Sequence, residues 1–224
     1  MIKKVAIYIV FLPFIWKGFA QDFKVNINKL TEETQQLSES PDKMRMVWWI
    51  PTDFWEAVFS QDASIPTSDA DKMLAQFEKY TMVATIDGDI DTDGNIQYVS
   101  EDDIFNTLKV VDNTQQEFSP LTEDQIDLDT KRLITIMKPV LGNMLGKLGE
   151  NMHFFLFQRT DDPLHKIVNP KNKESFAVKL NDERFEWQLP LGSLLRPQKC
   201  PVDQQLLDGS WTYCPYHGKP LTKY

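Results

Sequence analysis

Runs of apolar residues along the chain follow two periods, which separate predicted strands from predicted helices. Compact apolar runs at 44–50 and 152–157 predict buried strands. The alternating stretches 175–180 and 184–191 predict a hairpin around "NDE". Shorter strands are predicted at "TMVATID", "NIQYVS", "LKVVD" and "QQEFSPL".

Apolar residues at helical spacing predict the helices. Each predicted helix starts near a residue suited to cap it: Thr52, Thr67 or Ser68, Ser100, and Thr122. The last is the longest, ending at Gly149, and Pro139 should kink or split it. Because strands and helices mix without a regular βαβ rhythm, we expect an α+β fold. Its sheet should be mixed or antiparallel, with helices packed on one face.

The first twenty residues have the pattern of a secretory signal peptide. Two lysines precede an apolar run from Val5 to Trp16, and Gly18 and Ala20 supply small residues before a cleavage point after Ala20. An uncleaved anchor is the alternative. However, the run is shorter than the roughly 20 residues needed to span a bilayer, and Pro13 interrupts it. We therefore expect an exported, periplasmic or secreted protein without a transmembrane anchor.

The mature chain divides by composition into three parts. Residues 21–42 are polar and predict a flexible leader, with a short exposed helix as the alternative; residues 43–195 predict the α+β domain, and residues 196–224 predict a ribbon-like tail. A split of the domain near residue 118 is the alternative.

The mature protein is acidic. Without the three lysines of the signal peptide, 21 basic residues face 33 acidic ones, a net charge of −12. Such a surface repels phosphate backbones and anionic lipids, which argues against nucleic-acid partners. A protein partner in the cell envelope fits this charge.

The tail "CPVDQQLLDGSWTYCPYHG" carries the clearest chemical pattern. Cys200 and Asp203 are spaced as in one metal-binding turn, and Cys214 and His217 as in a second. The tail resembles a zinc ribbon, in which two Cys-Pro-x-Cys-Gly turns face each other across a hairpin. Asp203 and His217 stand where that family has thiolates, and both residue types bind zinc. The resemblance implies a Cys₂HisAsp zinc site.

A Cys200–Cys214 disulfide is the competing interpretation. Both cysteines belong to a chain with an export signal, and a disulfide would close a loop of about 15 residues. A disulfide consumes the thiolates that zinc needs, so the two interpretations exclude each other. Free thiols are a third possibility.

Two further sites are suggested by residue type. Asp89, Asp91 and Asp93 have the alternate spacing of a calcium loop, but Ser100 stands where a bidentate Glu is needed, so a plain acidic turn is the alternative. A second suggestion is an aromatic binding platform, with core packing as the alternative. Its residues are Trp48, Trp49 and Trp55.

Signals for an enzyme are poor. No Walker loop, GxGxxG or HExxH motif is present, and "LGSLL" is not a nucleophile elbow. His153 and His165 with scattered carboxylates form the remaining hydrolase hypothesis. The segments "WWIP", "LGNMLGKLGENMHFFLF" and "CPYHG" together resemble exported bacterial proteins of no assigned function. This resemblance therefore gives no activity to carry over to this chain. We expect a non-catalytic envelope or periplasmic binding or structural module with a Cys200–Cys214 disulfide in its tail and no cofactor, and a zinc- or calcium-binding module is the alternative.

Overall fold

The computed structural model describes residues 23–159 and 166–224. The predicted signal peptide and His165 lie outside the described residues. The α-helices are α1 Ile27–Thr34, α2 Thr52–Gln61, α3 Thr67–Phe77, α4 Glu101–Thr107 and α5 Leu128–Met144. Short 3-10 helices span Glu123–Gln125, Gly146–Asn151 and Gly192–Leu194.

The strands form antiparallel sheets. They are β1 Gln35–Leu37, β2 Met46–Ile50, β3 Thr81–Ile86, β4 Gly88–Ile90, β5 Ile96–Tyr98, β6 Lys109–Val111, β7 Glu117–Phe118, β8 His153–Phe157, β9 Ser175–Leu180, β10 Glu183–Gln188, β11 Gln198–Lys199, β12 Leu206–Leu207 and β13 Thr222–Lys223. The first sheet has the order β1-β2-β3-β8 and the second β10-β9-β6-β7. A small sheet β12-β11-β13 lies at the C-terminus, and β4 pairs with β5. The α+β class is confirmed.

The core lies on both sides of the first sheet. Trp48 and Trp49 are neighbours on β2, so they point to opposite faces. Trp49 packs on Phe176 of the second sheet, with ring centroids 4.6 Å apart. Trp48 packs on Phe54 of α2, at 5.3 Å. The first sheet is therefore covered by a sheet on one face and by helices on the other.

The three tryptophans suggested as a binding platform belong to this core. Trp48, Trp49 and Trp55 are each 1 % exposed. A stacking platform needs an aromatic face open to a ligand, and none of the three offers one. All three pack in the core, as the alternative interpretation proposed.

Residues 26–37 differ from the flexible leader predicted for this region. Asn26 caps α1 by accepting a hydrogen bond from the backbone of Lys29. Leu30 and Thr34 are fully buried, and the Thr34 hydroxyl accepts a hydrogen bond from Trp48 Nε1 at 3.2 Å. The strand β1 then pairs with β2. The structure has a helix here, as the alternative proposed, but one that is partly buried, because "INKLTEET" holds too few apolar residues for the pattern to show burial.

The long predicted helix is confirmed, with a later start. A 3-10 turn follows Thr122, and α5 itself begins after Asp127, whose carboxylate accepts a hydrogen bond from the backbone of Thr130. Pro139 lies inside α5. After α5 the chain folds back so closely that a Cβ on Gly149 would lie 1.9 Å from the Gly142 carbonyl oxygen. Only glycine fits there.

A buried ion pair joins the two main sheets. Arg45 and Asp87 are 3 % and 1 % exposed, and the guanidinium donates to the carboxylate at 2.8 Å. Asn181, between β9 and β10, donates to the other Asp87 oxygen at 2.8 Å. Arg45 also contacts Asp182 and Glu183. Each buried charge is thus paired and hydrogen-bonded, as burial requires.

Candidate metal centre

The C-terminal segment 196–224, called the ribbon below, contains two turns of matching geometry. In the first, the Cys200 N–H donates to the Gln205 carbonyl at 2.9 Å, and the Gln204 N–H donates back to the Cys200 carbonyl at 3.0 Å. Gln204 has a φ of 66°, in the left-handed region that favours glycine. This turn exposes Val202 and Asp203 between its hydrogen-bonded ends.

The second turn repeats the pattern fourteen residues later. The Cys214 N–H donates to the Lys219 carbonyl at 2.8 Å, and the Gly218 N–H donates to the Cys214 carbonyl at 2.8 Å. Gly218 has a φ of 60°, matching Gln204. Each cysteine therefore begins the same kind of turn, and each turn places a second candidate ligand three residues after its cysteine.

In each turn the backbone amides after the cysteine act to lower the pKa of its thiol. Those of Val202 and Asp203 act on Cys200, and those of Tyr216 and His217 on Cys214. Hydrogen bonds from backbone amides stabilise the thiolate over the thiol. The thiolate is the form that binds a metal.

The two thiols have unequal acidity. Burial raises the pKa of Cys200, and the nearby Asp203 carboxyl and Cys214 add to that effect. Burial also opposes ionisation of Cys214, but hydrogen bonds from His217 and the turn backbone outweigh it and lower the pKa of Cys214. Because the groups interact, the pair loses its two protons in separate steps.

Three ligand atoms converge between the turns. The sulfurs of Cys200 and Cys214 each lie 3.4 Å from Nδ1 of His217, and all three atoms lie within 4.8 Å of one another. Around a tetrahedral zinc ion, bonds of about 2.3 Å to sulfur and 2.0 Å to nitrogen separate the two ligand atoms by about 3.6 Å. The observed spacing therefore fits one ion.

Asp203 lies next to these three residues. Its Oδ2 is 3.9 Å from His217 Nδ1, while its Oδ1 accepts a hydrogen bond from the backbone of Gln205 at 3.1 Å. That bond, contact with Cys200 and the charge of His217 lower the pKa of Asp203. An oxygen and a nitrogen bound to one tetrahedral zinc ion are about 3.3 Å apart, so Oδ2 would have to move closer to Nδ1 to become the fourth ligand.

The centre is buried on the sulfur side and open on the other. Cys200 and Cys214 are 0 % and 2 % exposed, whereas the side chains of His217 and Asp203 are 34 % and 40 % exposed. An ion held here would be shielded from solvent on the side of the two sulfurs and accessible to solvent on the side of His217 and Asp203.

The ribbon is attached to the body of the protein through α1. Lys29 of α1 donates to Asp208 of the ribbon at 2.5 Å. Asp208 lies so close to Gly192 that a Cβ there would be 1.9 Å from its carboxylate oxygen. Glu33 of α1 meanwhile accepts hydrogen bonds from the backbone and hydroxyl of Ser193. The helix α1 therefore positions the ribbon.

Of the four residues predicted for this centre, the structure brings Cys200, Cys214 and His217 together and places Asp203 beside His217. Cys200 and Cys214 carry free thiols here. The disulfide stays a prediction for an oxidised form of the chain.

The proposed calcium loop is a β-hairpin turn. Asp89 belongs to β4 and binds Lys43, with 2.5 Å between carboxylate and ammonium. Asp91 accepts hydrogen bonds from the backbones of Asp93 and Asn95, which fold the turn and lower the pKa of Asp91. Across residues 23–159 and 166–224, the one group of three or more possible ligands that converges is Cys200, Cys214 and His217. The acidic turn is the alternative that this geometry favours.

His153, the other candidate catalytic residue among those described, lies at the start of β8 and contacts a carboxylate of α4. Its Nδ1 lies 3.0 Å from the Glu101 carboxylate of α4. This contact was not anticipated, since 52 residues separate the partners. It ties α4 to the first sheet.

Comparisons with protein-family models, with curated proteins and with solved structures found nothing that matches this chain. Across the described residues, no helix has both the length and the apolar content needed to cross a membrane.

Proposed function

We propose that this protein is a metal-binding module whose ribbon holds one zinc ion between Cys200, Cys214, His217 and Asp203. The observation that carries the proposal is the placement of both sulfurs 3.4 Å from a single imidazole nitrogen. Export, a non-catalytic role and a partner in the cell envelope remain predictions from the sequence.

The donor set supports zinc over harder cations. Two thiolates and an imidazole are ligands that zinc accepts readily, while calcium and magnesium require mostly oxygen ligands. A tetrahedral arrangement of mixed sulfur and nitrogen ligands is typical of zinc.

The structure also supports a structural role for the ion. The apolar residues of the ribbon point outward, including Val202, Leu206, Trp211, Tyr213 and Tyr216, all of which are exposed. Its strands are two residues long. A segment that buries so little apolar surface needs a metal or a covalent link to hold its shape. Zinc would supply that link.

The test is the native mass of the full chain, produced with zinc and kept reduced. We expect one bound zinc ion. Cobalt substitution should give the absorption of a tetrahedral site with sulfur-to-cobalt charge transfer. The binding free energy of a structural zinc site is roughly 12 kcal/mol, or about 3 kcal/mol for each of four ligands. Losing one ligand should therefore weaken zinc affinity on the order of 100-fold.

The variants separate the ligands. Cys200→Ser, Cys214→Ser and His217→Gln should each show the large loss, and Asp203→Asn a smaller one because carboxylate is the hardest donor of the four. Asp93→Asn is the matched control, since Asp93 is an exposed aspartate of the acidic turn. A metal-free mass for the reduced wild type in excess zinc would refute the proposal. Equal affinity of the Cys214→Ser variant and the control would refute it too.

A further inference from the structure

The two sulfurs of the metal centre are placed for a second reaction, with each other. They lie within 4.8 Å, and a disulfide joins sulfurs at about 2.05 Å. A movement of less than about 3 Å between the two turns therefore suffices to join them. Both turns sit in the short-stranded ribbon, where local opening is easier than in the core.

We propose that Cys200 and Cys214 form a redox switch, in which a low-molecular-weight disulfide such as oxidised glutathione converts the zinc-bound pair into a Cys200–Cys214 disulfide and releases the ion. This inference rests on the proposed zinc site. It makes the metal site and the disulfide two states of the same ribbon.

The chemistry balances with the named oxidant. One cysteine thiolate attacks the reagent's disulfide, forming a mixed disulfide and expelling one glutathione thiolate. The second cysteine thiolate then attacks the sulfur of the first, which expels the other glutathione thiolate. Each cysteine sulfur loses one electron, and the two reagent sulfurs gain two. Zinc leaves as the divalent ion, because both of its sulfur ligands are consumed.

The unequal surroundings of the centre favour release. After oxidation only His217 and Asp203 remain as ligands, and both lie on the solvent-exposed side. One imidazole and one carboxylate, both open to water, hold zinc more weakly than a site with two thiolates as well, since affinity depends on the number and charge of the ligands. The ribbon keeps its shape in both states because a disulfide supplies the cross-link that the ion supplied.

The experiment titrates the zinc-loaded, reduced full chain with oxidised glutathione in the presence of a colorimetric zinc indicator. We expect the full equivalent of zinc to appear as the chain loses two hydrogens and both alkylatable thiols. Added reductant and zinc should reverse the change. Cys200→Ser is the control variant, and Cys214 should then carry a mixed disulfide with glutathione instead.

Two outcomes would overturn the switch while leaving the zinc site intact. In one, the protein keeps its zinc at oxidant concentrations that fully convert the metal-free chain to the intramolecular disulfide. In the other, oxidation links two chains rather than Cys200 to Cys214. A reduced chain that binds no zinc before the titration would instead refute the proposed function itself.

Discussion

Replacing Leu30 with alanine tests whether α1 is part of the folded domain. Leu30 is fully buried in the main apolar core, and α1 carries the Lys29 that binds Asp208 of the ribbon. Leucine-to-alanine changes at buried sites cost about 3–5 kcal/mol, from lost transfer energy and the cavity left behind. For a domain of about 200 residues, each kcal/mol lowers the melting temperature by roughly 2–4 °C. We therefore expect a decrease of about 6–20 °C.

The assay is thermal unfolding of the reduced protein followed by circular dichroism, with Leu37→Ala as the matched control. Leu37 lies only seven residues away, but it is 65 % exposed. Surface substitutions change stability by about 0.5 kcal/mol or less, so the control should melt within about 2 °C of the wild type. Equal melting temperatures for the two variants would show that α1 is not packed in solution.

Two further predictions concern charges in the body of the protein. Asp87→Asn leaves the Arg45 charge buried without its main partner, and chemical unfolding should show a loss of about 3–5 kcal/mol; a loss under about 1 kcal/mol would refute the buried pair. Asp127→Ala removes the cap of α5 and should cost about 0.5–2 kcal/mol at pH 7. Burial opposes its ionisation, but hydrogen bonds from Thr130 and Tyr80 outweigh it and keep the pKa of Asp127 below its ordinary range. Its contribution is therefore complete above the unfolded pKa of about 3.9 and lost as pH falls below it. The gap between wild type and variant should shrink in acid, and a gap independent of pH would refute this assignment.

The strands were the elements that sequence pattern predicted best. "MVWWI" is apolar throughout because both of its faces are covered, and "HFFLF" is apolar after His153; the structure confirms them as β2 and β8. The strand β10 alternates because one of its faces packs in the core and the other lies in solvent. The apolar pattern of a strand depends on which of its own faces are buried, so a short stretch of sequence is enough to predict it.

The burial of the helix α1 could not be predicted, for the opposite reason. Its anchors are Leu30 and Thr34, and a buried threonine looks polar in any hydropathy pattern. Thr34 is tolerated inside because its hydroxyl donates to the Leu30 carbonyl and accepts from Trp48. Those partners are set by the tertiary fold, so no local signal could reveal the burial.

The metal centre was predictable in composition but not in geometry. Spacing alone placed Cys200 with Asp203, and Cys214 with His217, but it could not show that both sulfurs meet one nitrogen of His217. Gln204 gave no signal either, because the left-handed position of the first turn is held by a residue other than glycine. The equivalence of the turns appears only in their hydrogen bonds.

The body and the ribbon depend on different sources of stability. The body buries its tryptophans between two sheets and a layer of helices, and apolar burial at roughly 25 cal/mol per Å² dominates there. The ribbon exposes most of its apolar residues and turns its two cysteines inward. Its joint to the body is narrow and polar, centred on Asp208 with Lys29 and Gly192. Exchange of a metal ion for a disulfide at Cys200 and Cys214 would therefore leave the core folded, which is the condition a reversible metal or redox site requires.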